Sequence, residues 1–193
     1  MPFYNVGVVD VEQAIRSRRT VKAFEPEPLE HETLVQLLEL ARWAPNHHLT
    51  NPWRFRVLGP GSLERLKQAA GELAAAEAKG AEATELARAA AAKLDRAPTL
   101  VVCSVVRSAD EVEREEDRHA AGIAAYIVLL AAHARGLSGY WRTPAVLRTD
   151  AGREAVGMRP DEDFVGLLHL GRAKQDATAP GREPAENYVS YLD

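Results

Sequence analysis

The sequence has 193 residues and a formal net charge of -4 at pH 7, with 46% hydrophobic and 27% charged residues. These values are typical of a soluble globular chain with a single core. A net negative charge provides no overall field that would attract nucleic acid or an anionic membrane, so an anionic ligand would need a local cluster of basic residues. No secretory signal is visible, and the most apolar helical stretch, residues 120–136, is shorter than a bilayer span, so we expect a cytoplasmic protein.

The first part of the chain predicts two helices and a strand. Asp10, followed three residues later by Gln13, is typical of a helix start. A second helix is predicted for about residues 30–43, with a leucine-rich apolar stripe, and it ends before Pro45. The segment WRFRVL, residues 53–58, alternates large apolar and basic residues, which predicts a strand with one covered face.

The middle of the chain combines a polar helical arm with the most apolar strand. Residues 62–96 are rich in alanine and charged residues and predict two helices separated near Gly80. We interpret this arm as a helical insertion that either covers an active site or forms a solvated helical pair. The run PTLVVCSVV, residues 98–106, predicts a buried central strand, and its Cys103 is the only cysteine, so we expect no disulfide and an unreactive buried thiol. The acidic run 110–117 predicts the solvated start of a long central helix.

The last part of the chain predicts a strand at residues 137–143, a short helix at 149–157 closed by Gly157, and a final strand at 163–173. Residues 173–193 have no apolar periodicity and are expected to form an extended tail. The element order predicts a single domain of the α+β or α/β type. No glycine-rich segment has the spacing and context of a dinucleotide-binding fingerprint.

Basic residues are concentrated in two segments. The first is RSRRTVKAF, residues 16–24, at the end of the first helix, and the second is GYWRT, residues 139–143, at the end of a strand. An arginine next to a hydroxyl residue suits a phosphate group, because the guanidinium pairs with two oxygens and the hydroxyl binds a third. The alternative is that a basic helix end only stabilises the helix dipole.

The junction APNHHLTNPW, residues 44–53, holds two prolines and several hydrogen-bonding side chains. Adjacent histidines on a loop rarely converge on one ion, so we expect no metal site. A histidine acting as a general acid or base would need an orienting carboxylate, which is not nearby in the sequence. His47 and Asn51 instead suit the role of neutral hydrogen-bonding partners of a planar heterocycle. The alternative is a loop whose polar groups cap the second helix.

Four of these segments, in the same order, resemble motifs of the nitroreductase family, particularly its small single-domain members. The family motif RRSxRxF corresponds to RRTVKAF (18–24), and APSxxNxQPW or APDHxxxQPW corresponds to APNHHLTNPW (44–53). The motif GxWRS corresponds to GYWRT (139–143), and GxLxLG corresponds to GLLHLG (166–171). Threonine replaces serine in two motifs, and Asn51 replaces a glutamine with one methylene more. The resemblance covers residues 9 to about 172, nearly the whole chain.

The resemblance implies an α+β fold with a central, mostly antiparallel sheet flanked by helices. It also implies a homodimer that binds FMN at two sites in the subunit interface, each lined by both chains. By position, the resemblance assigns the flavin-binding roles as follows: Arg18, Arg19 and Thr20 for the ribityl phosphate and nearby flavin groups, completed by Trp141, Arg142 and Thr143; Lys22 for the pyrimidine edge; and His47 and Asn51 reaching the flavin from the partner subunit.

The activity that the resemblance implies is hydride transfer from NADH or NADPH, through FMN, to a nitroaromatic, quinone or similar acceptor in a ping-pong cycle. A nicotinamide that binds only transiently needs no dedicated domain, which agrees with the missing dinucleotide fingerprint. One alternative is a flavin carrier or sensor of the same fold without catalytic activity. A second alternative is a helical interaction protein that recruits a partner through residues 62–96 and binds no flavin.

Overall fold

The computed structural model describes residues 10–192. The predicted order of helices and strands is confirmed. The helices are α1 (Val11–Ser17), α2 (His31–Ala41), α3 (Pro60–Ala75), α4 (Gly80–Ala92), α5 (Glu111–Ala134) and α6 (Asp150–Ala155). The strands are β1 (Trp53–Val57), β2 (Thr99–Val106), β3 (Ser138–Arg142) and β4 (Glu162–Gly171).

The four strands form one antiparallel sheet in the order β1-β2-β4-β3. The sheet therefore confirms the α+β prediction over the α/β alternative, since none of these strand pairs is parallel. Strand β2 lies between two neighbours and is buried over nearly its whole length, as its continuous apolar run predicts. Within residues 10–192, no helix is long and apolar enough to cross a membrane.

Each face of the sheet is covered by helices and carries its own core. On one face, Leu66 of α3 packs in a cluster with Leu167 of β4. On the other face, Leu37 of α2 and Val128 of α5 pack in a cluster that includes Cys103. Burial raises the pKa of the Cys103 thiol to about 12, so the prediction of a buried, unreactive thiol is confirmed.

The helix cap that the sequence predicts at Asp10 is confirmed, and a second aspartate caps α5. Asp10 accepts a hydrogen bond from the backbone N–H of Gln13, and Asp110 does the same for Glu113 at the start of α5. The prediction that residues 110–117 form a solvated helix start is wrong at Asp117, which is only 3% exposed. This carboxylate lies on the side of α5 that faces the protein, whereas the other acidic side chains of the run are exposed or partly exposed.

The helical arm packs on the sheet mainly through α3. Leu66 is fully buried there, whereas α4 has no buried residue and contacts chiefly α3. The predicted break near Gly80 is confirmed, because α3 ends at Ala75 and Gly80 begins α4 with a positive φ of 60°. That this arm covers an active site stays a prediction. The tail beyond residue 177 is exposed along its described length.

His169 and Tyr140 form a buried polar pair between β4 and β3. Their rings stack with centroids 4.4 Å apart. Both imidazole nitrogens and the Tyr140 hydroxyl lack a hydrogen-bond partner among the residues that the structure describes. Burial lowers the pKa of His169 from 6.5 to about 3, and the positive charges of Arg142 and Arg96 contribute to the decrease. His169 is therefore neutral in the folded protein and resists protonation.

We predict that His169 makes the protein acid-sensitive. Its folded pKa lies below the unfolded value, so its contribution to stability is complete above pH 6.5 and is lost as the pH falls toward 3. The free energy of unfolding should decrease by about 1.4 kcal/mol for each pH unit in this window. Denaturant titrations at several pH values should show a shallower pH slope for His169→Phe, whereas His119→Gln, at an exposed position, should keep the wild-type slope. Equal slopes for all three proteins would contradict the prediction.

Candidate functional site

An extended segment after α1, residues 20–25, crosses one end of the sheet. Thr20 pairs with Gly139 at the start of β3, and Phe24 pairs with Ala173 just after β4. The backbone N–H of Glu25 donates to the carbonyl of Arg172 over 2.9 Å. These backbone pairings bring two of the sequence motifs, RRTVKAF and GYWRT, into direct contact.

Arg18 and Arg19 lie beside this crossing with no acidic partner. The guanidinium carbon of Arg18 is 5.8 Å from the ring centroid of Tyr126 on α5, within cation–π range. The Nη1 atom of Arg19 donates to the carbonyls of Arg16 and Arg18 at 2.6 and 2.8 Å. Among residues 10–192, no carboxylate forms an ion pair with Arg18 or Arg19. Their positive charge is therefore available to a ligand.

His133 at the end of α5 lies in the field of this positive region. Its Nε2 is 2.7 Å from the hydroxyl oxygen of Ser17, which itself donates to the carbonyl of Gln13. Burial lowers the pKa of His133, and the charges of Arg18 and Arg19 lower it further. The imidazole of His133 is therefore less readily protonated than a free histidine beside these two arginines.

Arg142 occupies the opposite end of β3. Its Nη1 donates to the carbonyl of Lys93, just after α4, over 3.0 Å. Arg142 is three residues beyond Gly139, or about 10 Å along the strand. The structure thus places Arg18, Arg19 and Thr20 at one end of β3, and Arg142 with the exposed Thr143 at the other. That both groups hold one phosphate stays a prediction.

Trp141 points to the face of the sheet covered by α5 and is partly buried. Its indole N–H donates to the carbonyl of Val165 over 3.2 Å. A Cβ atom at Gly166 would lie 2.0 Å from the indole Nε1, and one at Gly139 would lie 2.7 Å from the carbonyl oxygen of His169. The glycines of the motifs GYWRT and GLLHLG are therefore needed for close packing of β3 on β4.

The loop after α2, residues 46–51, has an unusual backbone. His48, Leu49 and Asn51 have positive φ angles of 58°, 53° and 47°. Left-handed conformations of residues other than glycine cost on the order of 1–3 kcal/mol each. Pro45 and Pro52 fix their own φ angles and favour an extended conformation for the residue before them, so the prolines do not explain the positive φ angles. Contacts elsewhere have to stabilise it.

Hydrogen bonds to α5 and within the loop provide that stabilisation. The Oδ1 atom of Asp117 accepts from the Thr50 hydroxyl at 2.5 Å and from the Asn46 amide at 3.4 Å. Asn46 in turn accepts from the backbone N–H of Asn51 at 2.7 Å. Arg54 of β1 donates to the carbonyl of Asn51 at 2.8 Å. The loop is thus attached to both α5 and β1.

His47 at the start of this loop has the carboxylate partner that was not visible in the sequence. Its Nδ1 is 2.8 Å from Oε2 of Glu116, which follows 69 residues later. A carboxylate can only accept, so Nδ1 carries the donated hydrogen and Nε2 remains for another partner. The ring stacks on His48 at 3.8 Å between centroids. The alternative that the loop only caps α2 is not borne out, since α5 and β1 hold it.

The remaining predicted residues differ in their availability. The Asn51 amide donates back to the carbonyl of Leu49 at 2.7 Å, so one of its two N–H donors is used within the loop. Lys22 is exposed on the crossing segment. Sequence reasoning missed Arg172 and Lys174, two exposed basic residues whose backbones pair with the crossing segment. The signal was present, because both lie within three residues after the GLLHLG motif.

The comparisons with known proteins agree with this architecture. The nitroreductase family model matches residues 15–172, so the chain belongs to the nitroreductase family. The Escherichia coli (strain K12) protein named "Putative NAD(P)H nitroreductase YdjA" is 31% identical over 94% of this chain and 98% of its own length. The Bacillus subtilis relative YfhC is 29% identical and is covered over 92% of both chains.

Solved structures show the same fold. A nitroreductase-like family protein from Bacillus cereus aligns over 100% of this chain and 99% of its own, with a TM-score of 0.83 and 24% identity. An FMN complex from Desulfovibrio desulfuricans aligns over 95% of this chain and 97% of its own, with a TM-score of 0.71 and 25% identity. The nitroreductase fold expected from the four motifs is confirmed.

We predict that the variant Gly166→Ala is destabilised by about 1–3 kcal/mol, because its methyl group must displace the Trp141 indole or separate the strands. Urea unfolding followed by circular dichroism measures the effect. Gly181→Ala is the matched control, since no atom lies within 4 Å of a Cβ at that position. Equal stability of the two variants would show that the indole position does not depend on this glycine.

Proposed function

We propose that this protein is an FMN-dependent oxidoreductase that passes hydride from NADH or NADPH to a nitroaromatic, quinone or similar acceptor in a ping-pong cycle. The observation that carries the proposal is the pair of positive side chains Arg18 and Arg19, next to the Thr20 that pairs with β3. This pair lies in a chain that belongs to the nitroreductase family. The names of YdjA and YfhC refer to NAD(P)H nitroreductases, and the aligned Desulfovibrio structure contains FMN.

The donor set at the start of β3 fits the phosphate of FMN. A dianionic phosphate needs cations without carboxylate partners, and Arg18 and Arg19 meet this condition among the described residues. The guanidinium groups bind two phosphate oxygens each, and the hydroxyl of Thr20 offers another hydrogen bond. Because the whole chain carries a net negative charge, an anionic cofactor would need such a local group of cations.

FMN would supply the hydride-transfer chemistry between a nicotinamide and the acceptor, and the protein would contribute orientation and electrostatics. Arg18 and Arg19 would hold the phosphate, while Lys22 would stabilise negative charge at the pyrimidine edge. Trp141, packed against Gly166, would fix the position of β3 behind the ring. Arg142 and Thr143 would contact the cofactor from the other end of the strand.

The length of α5 supports a homodimer with shared sites. Asp117 lies beside the loop of His47, and His133 lies beside the arginines, sixteen residues further along the helix. At a rise of 1.5 Å per residue these points are about 24 Å apart, which is longer than one flavin mononucleotide. A flavin held by the arginines of one chain would therefore take His47 and Asn51 from the partner subunit.

The proposal predicts that the purified protein is yellow, releases FMN on denaturation and oxidises NADH or NADPH in the presence of a nitroaromatic or quinone acceptor. A visible spectrum followed by a steady-state assay measures both properties. Bound FMN without NAD(P)H oxidation with any acceptor would instead favour the flavin carrier or sensor. A colourless protein that takes up no added FMN would rule out both functions.

We further predict that Arg142→Ala weakens FMN binding by about 1.5–3 kcal/mol, the range for a hydrogen bond to a charged group. Fluorescence titration of the cofactor-free protein with FMN measures the change. Arg88→Ala is the matched control, because Arg88 is an exposed arginine whose ion pair is with Glu85 of its own helix. If Arg142→Ala binds FMN as the wild type does, Arg142 only attaches β3 to the end of α4 through Lys93.

A further inference from the structure

The buried carboxylate of Asp117 on α5 is hydrogen-bonded to the loop 46–51. Within residues 10–192, no basic side chain forms an ion pair with it, and its hydrogen bonds come from Thr50 and Asn46 of one loop. A buried carboxylate without a cation is costly unless hydrogen-bond donors reach it. The carboxylate and the loop 46–51 therefore stabilise each other.

The position of Asp117 on α5 also links it to His47. Glu116 and Asp117 are consecutive, so their side chains point about 100° apart around the helix axis. Glu116 is partly exposed and holds the His47 ring, while Asp117 points inward and holds the loop backbone through Thr50. The two carboxylates thus fix both the tautomer of His47 and the conformation of the loop that carries it.

We infer that Asp117 is a positioning residue of the flavin site: it holds the loop 46–51 in the left-handed conformation that presents the free Nε2 of His47 to the cofactor. This inference rests on the proposed function, because the cofactor belongs to that proposal. In this inference Asp117, rather than the two flanking prolines, stabilises the positive φ angles of His48, Leu49 and Asn51.

The first test uses the cofactor-free protein and the matched variants Thr50→Val and Thr50→Ser. Thr50 is exposed, so both variants should fold, but only valine removes the hydroxyl that donates to Asp117 and leaves Asn46 as the one remaining donor from the loop. We expect the amide hydrogens of Leu49 and Asn51, both bonded to Asn46, to exchange on the order of tenfold faster in Thr50→Val and at the wild-type rate in Thr50→Ser. Unchanged exchange in Thr50→Val would overturn the inference.

The second test asks whether the loop acts through His47. We expect Thr50→Val and His47→Ala each to weaken FMN binding by roughly tenfold and the double variant to bind no more weakly than His47→Ala. Thr50→Ser should restore both the affinity and the visible spectrum of the bound flavin. Additive losses, or an FMN affinity unchanged by Thr50→Val, would show that the loop conformation does not serve the cofactor, and would overturn the inference.

Glu162→Gln is the control for a general loss of stability. Glu162 is also a buried carboxylate that accepts from a hydroxyl, Ser104, but it lies on the opposite face of the sheet from α5. This variant should lower the melting temperature and leave FMN affinity unchanged. If it weakens FMN binding as Thr50→Val does, the effect reflects stability and the inference fails. A wild-type protein that binds no FMN identifies a failure of the proposed function itself, and the role of Asp117 toward the cofactor is then overturned with it.

Discussion

The pairing of residues 20–25 with the ends of β3 and β4 is the constraint on which the candidate site depends. Helix α1 has only seven residues, too few to hold the arginines in place through its own stability. The backbone hydrogen bonds of the crossing segment supply the fixed position instead. Gly139, where the crossing meets β3, is required by the sheet itself, because a side chain there would collide with the carbonyl of His169 on β4. The backbone pairing of the crossing segment thus places the positive charge.

Helix α5 connects this crossing to the loop of His47. Its last turns carry His133 and contact α1, and its first turns carry Glu116 and Asp117. The helix spans the core between these ends, where its small side chains pack closely against the sheet. Because a rigid helix fixes the distance between its ends, it also fixes the spacing of the two sets of functional side chains in one subunit. A flavin site that uses both sets of side chains would therefore need one set from each of two subunits.

The sequence predicted the elements because their signals are local. The apolar run of residues 98–106, the cap at Asp10 and the break at Gly80 each depend on neighbouring residues. The environment of the site depends on long-range contacts, and these were missed. The contact of Asp117 could not be read from its acidic run, since its partner Thr50 is 67 residues away. The four motifs identified candidate residues, but only the fold shows which are held by Glu116, by Asp117 or by Lys93.

The geometry of β3 suggests why both ends of this strand carry a basic motif. In the described sheet β3 is one of the two edge strands, and Thr20 pairs with it only at Gly139. The outer side of β3 at residues 140–142 therefore has backbone N–H and C=O groups without a strand partner in the described sheet. Gly139, near Arg18 and Arg19, and Arg142 lie about 10 Å apart along this edge. A flavin mononucleotide has polar groups along its length and a phosphate at one end. It would match an edge with Arg18 and Arg19 at one end and Arg142 at the other, in which case the two arginine groups would contact different parts of one cofactor.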